Sequence, residues 1–311
     1  MRMLFLIAML LTSLANTSAA DAPAAPDAAP RRIISLGPDI TETVCALGAG
    51  KLLVGVSDFC NWPPEVLALP RCGGYLDPNY EVIAALQPDL ILAQGRRHRV
   101  EQFAHSRGIR VLMLEIDTID QILSTIERLG VLLQREEEAA RLAGRLRAEM
   151  ERTAARVAAI DPDERPKVFL TVSRRAGSLD QLSTVSGASF LGEILKLAGG
   201  RNIFAEIDQP YPQVSKESLL ARQPEVILEF MPELQGADES RLSEIRSDWN
   251  ALPSLPATQH GRIHVITLDH ALRPGPRFTE VLDEIQRLLY PELNLAPAGD
   301  APTTETAASA D

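Results

Sequence analysis

One helix–strand unit is written twice in this chain, and that repeat limits what the rest can become. Residues 75–93 read YLDPNYEVIAALQPDLILA and residues 211–229 read YPQVSKESLLARQPEVILE. Gln87-Pro88-Asp89-Leu90-Ile91-Leu92 matches Gln223-Pro224-Glu225-Val226-Ile227-Leu228 at a constant offset. The same offset places Tyr75 on Tyr211 and Glu81 on Glu217. In the second copy Ser215 is placed to cap a helix whose apolar face carries Leu219 and Leu220, and Gln223-Pro224 ends it. The run Val226-Ile227-Leu228 has the character of a strand covered on both faces. A unit repeated with a Tyr and a Glu in register predicts two lobes of similar build.

The surrounding chain fits that frame. A strand at Arg32–Leu36, a helix at Asp39–Leu47 closed by Gly48-Ala49-Gly50, and a strand at Leu52–Val56 precede the first copy. A loop rich in Pro, Gly and aromatics separates them, and the basic loop Gly95–Arg99, a helix to Arg107 and the strand Arg110–Leu114 follow. The second lobe starts with a strand at Lys167–Val172, and LGEILKLAGGRNIF there echoes TETVCALGAGKLLV of the first. A polar helix near Asp238–Leu252, the strand Ile263–Leu268, the loop DHALRPGPR and a helix at Phe278–Leu289 complete it. Alternating strands and helices imply an α/β fold with parallel-rich sheets and crossover helices. Residues 119–160 read as helix almost without breakers, with Gly130 as a joint. The part from 134 to 160 would run about 40 Å, and it lacks the a/d seam of a coiled coil. It is expected to link a lobe at 31–133 to a lobe at 161–291.

The ends lie outside that frame. Arg2, the apolar run Met3–Leu14 and Ser18-Ala19-Ala20 make residues 1–20 a secretory signal peptide, too short to span a membrane. The linker at 21–30, DAPAAPDAAP, and the tail at 292–311 are expected to be disordered. The protein is thus expected to be exported and soluble. Its 311 residues carry a net charge of −11, which excludes nucleic acid as a partner for want of a basic footprint. Cys45, Cys60 and Cys72 in an oxidising compartment predict one disulfide. Cys60–Cys72 is favoured because both lie in loop-like sequence, and three reduced buried thiols are the alternative.

No sequence motif for catalysis is present. A phosphate loop, a dinucleotide fingerprint, Gly-x-Ser-x-Gly, Cys-x-x-Cys and His-Glu-x-x-His are all missing, and the five His share no metal-ligand spacing. Neither a metal nor a resident cofactor is expected. Phe59, Trp62, Tyr75 and Tyr211 lie in Pro/Gly loops after predicted strands, where open α/β sheets bind ligands; packing on their own lobe is the plainer alternative. Glu81 and Glu217 start helices, which the helix dipole alone would favour, yet the dipole does not explain their matched offset. Arg96, Arg97, His98 and Arg99 form either a solvated loop or an anion site.

SLGPDITET, VGVSDFCNWPPE, NYEVIAALQPDLILA, YPQVSKESLLARQPEVIL and LDHALRPGPR, in this order and spacing over about residues 31–290, resemble the periplasmic substrate-binding proteins with a rigid helical backbone. That group serves ABC importers of cobalamin, haem and ferric siderophores, and the likeness is greatest to its cobalamin-binding members. The resemblance implies a monomeric carrier, not an enzyme, that buries a corrinoid between its lobes. It implies cleft positions at Phe59, Tyr75, Tyr211 and Asp269, and Glu81 and Glu217 as the carboxylates that dock on arginines of a permease dimer. Both tyrosines stand where cobalamin-binding members carry Trp, and His270 stands where an aromatic is usual. A ferric siderophore or haem held through carboxylates by Arg96, Arg97, Arg99 or Arg273 is the rival ligand. An exported hydrolase or redox enzyme on the same fold is the rival class.

Overall fold

A computed structural model describes residues 29–175 and 177–293, so the expected signal peptide at 1–20, most of the expected linker at 21–30 and the expected tail beyond 293 lie outside the described residues. The first lobe runs β1 (Ile33–Ser35), α1 (Pro38–Ala46), β2 (Leu53–Val56), α2 (Tyr80–Ala85), β3 (Leu90–Gln94), α3 (His98–Ser106) and β4 (Arg110–Leu114). Its four strands are parallel in the order β2-β1-β3-β4. Then come α4 (Ile119–Leu133) and α5 (Glu136–Ala158). The second lobe follows as β5 (Lys167–Ser173), β6 (Leu182–Thr184), α6 (Phe190–Leu197), β7 (Arg201–Asn202), β8 (Gln213–Val214), α7 (Lys216–Arg222) and β9 (Val226–Phe230). It closes with α8 (Glu239–Ser247), α9 (Pro256–Gln259), β10 (Ile263–Ile266) and α10 (Phe278–Leu289). Its sheet has the order β10-β9-β5-β6-β8, with β7 also on β5. β10, β9, β5 and β7 are parallel, while β6 and β8 add an antiparallel margin.

Side chains alternate across each sheet, so the longer parallel strands feed two cores. Ile33, Leu90 and Leu92 point to one face, and Ile34, Ile91 and Ala93 to the other. In the second lobe Val168 and Leu228 divide from Phe169 and Ile227 in the same way. One core face belongs to both lobes. It runs from Ile40 and Leu92 through Ile126 on α4 and Leu142 on α5 to Leu195 on α6 and Ile285 on α10. A shared apolar core is costly to shear, because its atoms are packed at crystal-like density.

The joint before the linking helix lies four residues later than the glycine suggests. Gly130 sits inside α4, where a Cβ would come within 2.4 Å of the Ala139 side chain. It allows α4 and α5 to cross closely. The chain turns at Gln134, in the left-handed region at φ 55°. α5 is about 34 Å long for its 23 residues. Arg147 on it reaches back 2.8 Å to Glu127 on α4, while its far end packs on α6 and α10. Among the described residues no helix is long and apolar enough to cross a membrane.

Candidate ligand cleft and docking carboxylates

The two copies of the repeated unit fold by the same local devices. Asn79 caps α2 by accepting from Val82 N, and Ser215 caps α7 by accepting from Ser218 N. After each helix a glutamine turns left-handed, Gln87 at φ 46° and Gln223 at φ 51°, and proline follows. The acid after that proline clamps the first strand of its lobe. Asp89 accepts from the amides of Arg31 and Arg32 at 2.8 and 3.1 Å, and Glu225 from that of Lys167 at 2.7 Å. These devices set Tyr75 and Tyr211 ahead of their helices, and leave Glu81 and Glu217 exposed in the first turns.

Among the described residues the exposed large aromatics are Phe59, Trp62, Tyr75 and Tyr211. Phe59 and Trp62 follow β2, and Phe59 lies beside Gly74, where a Cβ would be 3.5 Å from its ring. Tyr75 is held by Arg97, whose guanidinium lies 3.6 Å from the ring centroid and donates to the Tyr75 carbonyl at 3.0 Å. Of the basic run, Arg96, His98 and Arg99 remain exposed. Burial pushes the Tyr211 phenol up, and the nearby Asp117 carboxylate adds to this. Asp117 lies in the loop after β4, so the Tyr211 loop faces the first lobe.

Trp62, Asp269, His270 and Arg273 come together in a polar cluster between the lobes, in company with residues that sequence reasoning missed. Arg277 grips Glu42 in a two-pronged pair, Nε to Oε2 at 2.9 Å and Nη2 to Oε1 at 2.6 Å. Arg273 reaches the same carboxylate at 3.2 Å and Asn61 Oδ1 at 2.6 Å. Asp269 accepts from Arg277 at 3.2 Å and from Asn61 at 3.3 Å. Its carboxyl is held below the ordinary range: burial pushes it up, but His270, Arg277 and Arg273 outweigh that. His270 is buried, with Nδ1 2.9 Å from Arg277 and 3.0 Å from Asp269, and so lies behind these two rather than at the surface. Asp39, on α1 one turn before Glu42, is fully buried, and burial pushes its carboxyl up to about 7. The available signal was a second carboxylate, Glu42, one turn after Asp39 on α1, together with a second arginine four residues after Arg273.

The expected Cys60–Cys72 bridge is not formed, and all three thiols are free. Cys60 lies with the core face of Ile33 and Leu92, 3.1 Å from the hydroxyls of Thr41 and Ser57. Cys72 lies with the opposite face, among Ile34 and Ile83. The sheet separates the two sulfurs, and a loop sequence does not say which face of a sheet its cysteines serve. Burial raises all three thiols, Cys45 and Cys72 to about 11, which keeps them protonated and unreactive. Among the described residues no group of three His, Cys, Asp or Glu is placed to hold a metal ion. A cavity of about 530 Å³ between α4, α5 and α6, lined by Ile119, Met150, Val157, Glu193 and Leu197 among others, includes none of the four exposed aromatics.

A family model described as "Periplasmic binding protein" matches residues 33–270. The vitamin B12-binding protein of Photorhabdus laumondii is 34% identical over 263 residues, covering 83% of this chain and 87% of its own. That of Pectobacterium atrosepticum is 32% identical over 277 residues, covering 87% and 92%. Among solved structures, the periplasmic vitamin B12 binding protein of Vibrio cholerae superimposes with a TM-score of 0.69 at 29% identity, over 85% of this chain and 98% of that one. A periplasmic haem binding protein of Pseudomonas aeruginosa does so with a TM-score of 0.73 at 25% identity, over 86% and 95%.

Proposed function

We propose, for a chain that belongs to the periplasmic binding protein family, that its cleft carries a corrinoid to the permease dimer of an ABC importer. The observation that carries this reading is the set of four exposed aromatics. Phe59, Trp62, Tyr75 and Tyr211 are exposed, while the other Phe and Trp side chains among the described residues are buried or packed. Apolar rings held in water on strand-end loops are costly unless a ligand covers them. A corrin is a broad, flat partner for such rings, and two relatives named for vitamin B12 binding align over most of the chain. The chemistry needed is capture alone: the aromatics stack on the ligand, and Asp269 with its arginine partners offers polar contacts at the rim. The shared core limits how far the lobes can part, so release is assigned to the permease. Glu81 and Glu217 are exposed carboxylates, one per lobe, suited to a two-fold partner with arginines.

Haem is the second reading. It is favoured by the two phenols, by Arg97 stacked on Tyr75, and by the fold shared with a haem binding protein. Calorimetry with cyanocobalamin, cobinamide, haemin and a ferric siderophore decides between them. Tight one-to-one binding of a corrinoid is the expected result. Heat with haemin or the ferric chelate and none with either corrinoid reverses the assignment.

A further inference from the structure

We propose that Glu42 is the pivot of a clasp across the lobes that positions Trp62 for the ligand without touching the ligand. The inference rests on the reading of the cleft as a corrinoid site. Glu42 projects from α1 of the first lobe and is buried. The two guanidiniums it takes, Arg273 and Arg277, come from the loop between β10 and α10 of the second lobe. The two-pronged pair with Arg277 fixes the plane of that guanidinium as well as its place. Its Cζ lies 5.0 Å from the Trp62 ring, a cation over an aromatic face. Arg273, held by the same carboxylate, takes the side chain of Asn61, the residue just before Trp62.

The backbone agrees with this arrangement. Gly275, in the same loop, lies so close to α1 that a Cβ there would be 3.3 Å from Asp39 Cα. A side chain at that position would sit tighter against α1 than ordinary packing allows, and one of the two elements would have to give by a few tenths of an ångström. The loop that faces the ligand is thus held through a buried charge, and Trp62 offers the ligand the face that Arg277 does not cover. Because Glu42 is buried, its effect on binding must pass through Arg277, Arg273 and the two residues they hold.

The protein has two tryptophans, Trp62 and the fully buried Trp249, so fluorescence reads the clasp directly. Acrylamide quenching of the ligand-free protein is compared in the wild type, E42Q, R277M and W62F, the last giving the Trp249 baseline. Quenching of Trp62 is expected to rise in both E42Q and R277M, and each should weaken cobinamide binding by about tenfold, the scale of a partly desolvated cation–π contact. E42Q/W62F is expected to bind more tightly than the product of the two single losses, since Glu42 acts in part through Trp62. R277M keeps the test open should E42Q not fold. Wild-type quenching in E42Q and R277M, or losses of E42Q and W62F that simply multiply, overturns the proposal. Failure of the wild type to bind cobalamin or cobinamide sinks the corrinoid reading instead, while the quenching arm still decides the clasp.

Discussion

The two copies of the repeated unit have the same skeleton and different surroundings. Each has a side-chain cap, a left-handed glutamine, a proline and a clamping acid in the same order. The first sits in a wholly parallel four-stranded sheet, the second in a sheet with an antiparallel margin formed by β6 and β8. The first has its tyrosine stacked under a guanidinium, whereas the second tyrosine has an acid nearby. In the second Glu217 is held by its own backbone amide and by Ser215, which lowers its carboxyl, and no like hold on Glu81 is found among the described residues. What repeats is what sets an element in place. What differs is what meets a ligand or a partner, so the differences are where function is to be tested.

The largest contrast is in pH response. In the first lobe, burial raises Asp39 from 3.8 to about 7. The folded protein therefore holds its proton where the unfolded chain has lost it. That stability is fully present below about pH 4 and is lost as pH rises through 7, with a ceiling on the order of 4 kcal/mol. In the second lobe, burial lowers His264 from 6.5 to about 4, with the positive charges of Arg262 and Arg287 adding to it. Here the unfolded chain binds the proton first, so stability is present above pH 6.5 and falls as pH drops towards 4. D39N should raise stability relative to wild type at pH 8 and leave it level at pH 4; H264L should flatten the acid side alone. Urea denaturation across pH 4–8 measures both, and a parallel response in the two variants would remove the contrast.

The next contrast lies between the tyrosines. Y75A and Y211A should each lower corrinoid affinity by about tenfold or more, the usual scale for a central aromatic. R97A should reproduce part of the Y75A loss and leave the Y211A loss unchanged, because only Tyr75 carries a guanidinium on its ring. Calorimetry of R97A/Y75A and R97A/Y211A separates these cases. Equal coupling in the two pairs would mean that Arg97 meets the ligand itself.

Most of the skeleton was legible in the sequence, because its devices are local. A cap three residues from its target and a Gln-Pro pair after a short helix are written within one turn of chain. The exposure of Phe59, Trp62, Tyr75 and Tyr211 was legible because they lie in Pro/Gly loops next to strands and short helices. The clasp was not, since Glu42 and Arg277 meet over a separation of 235 residues. The cysteine pairing failed for a related reason: Cys60 and Cys72 are close in the chain and on opposite faces of a sheet. The antiparallel margin went unread because strands of two or three residues show no alternation.

A smaller effect is expected at the clamps. Asp89 holds two amides of the strand it secures, and Glu225 holds one. D89A should cost about 1–2 kcal/mol and E225A about 1 kcal/mol, one net hydrogen bond each time a partner is lost. Thermal melting of the two variants ranks them, and a greater loss in E225A would show that the strand starts are not secured alike.

The smallest effect is expected at the docking carboxylates. Both are exposed and, among the described residues, neither closes an ion pair, so each supports the fold only weakly: E81A and E217A should melt close to the wild type and bind ligand unchanged. Exposed pairs contribute little, so each substitution should weaken association with the permease by no more than about fivefold. Their main work would be to steer encounter and fix register, which makes the loss larger in the association rate than in the dissociation rate. The two should still be unequal. Glu217 must leave its own helix amide and Ser215 to reach an arginine, so part of its gain is offset, whereas no such hold on Glu81 is found among the described residues. E81A should therefore cost more than E217A, and S215A, by freeing Glu217, should narrow the gap. Raising salt should weaken the wild-type complex towards the level of the double variant, since exposed charges are screened within about a Debye length of 8–10 Å. Surface plasmon resonance on permease in nanodiscs, at two salt concentrations, measures all of this. A double variant that docks normally but loses its ligand would place both carboxylates in the cleft and end the docking assignment.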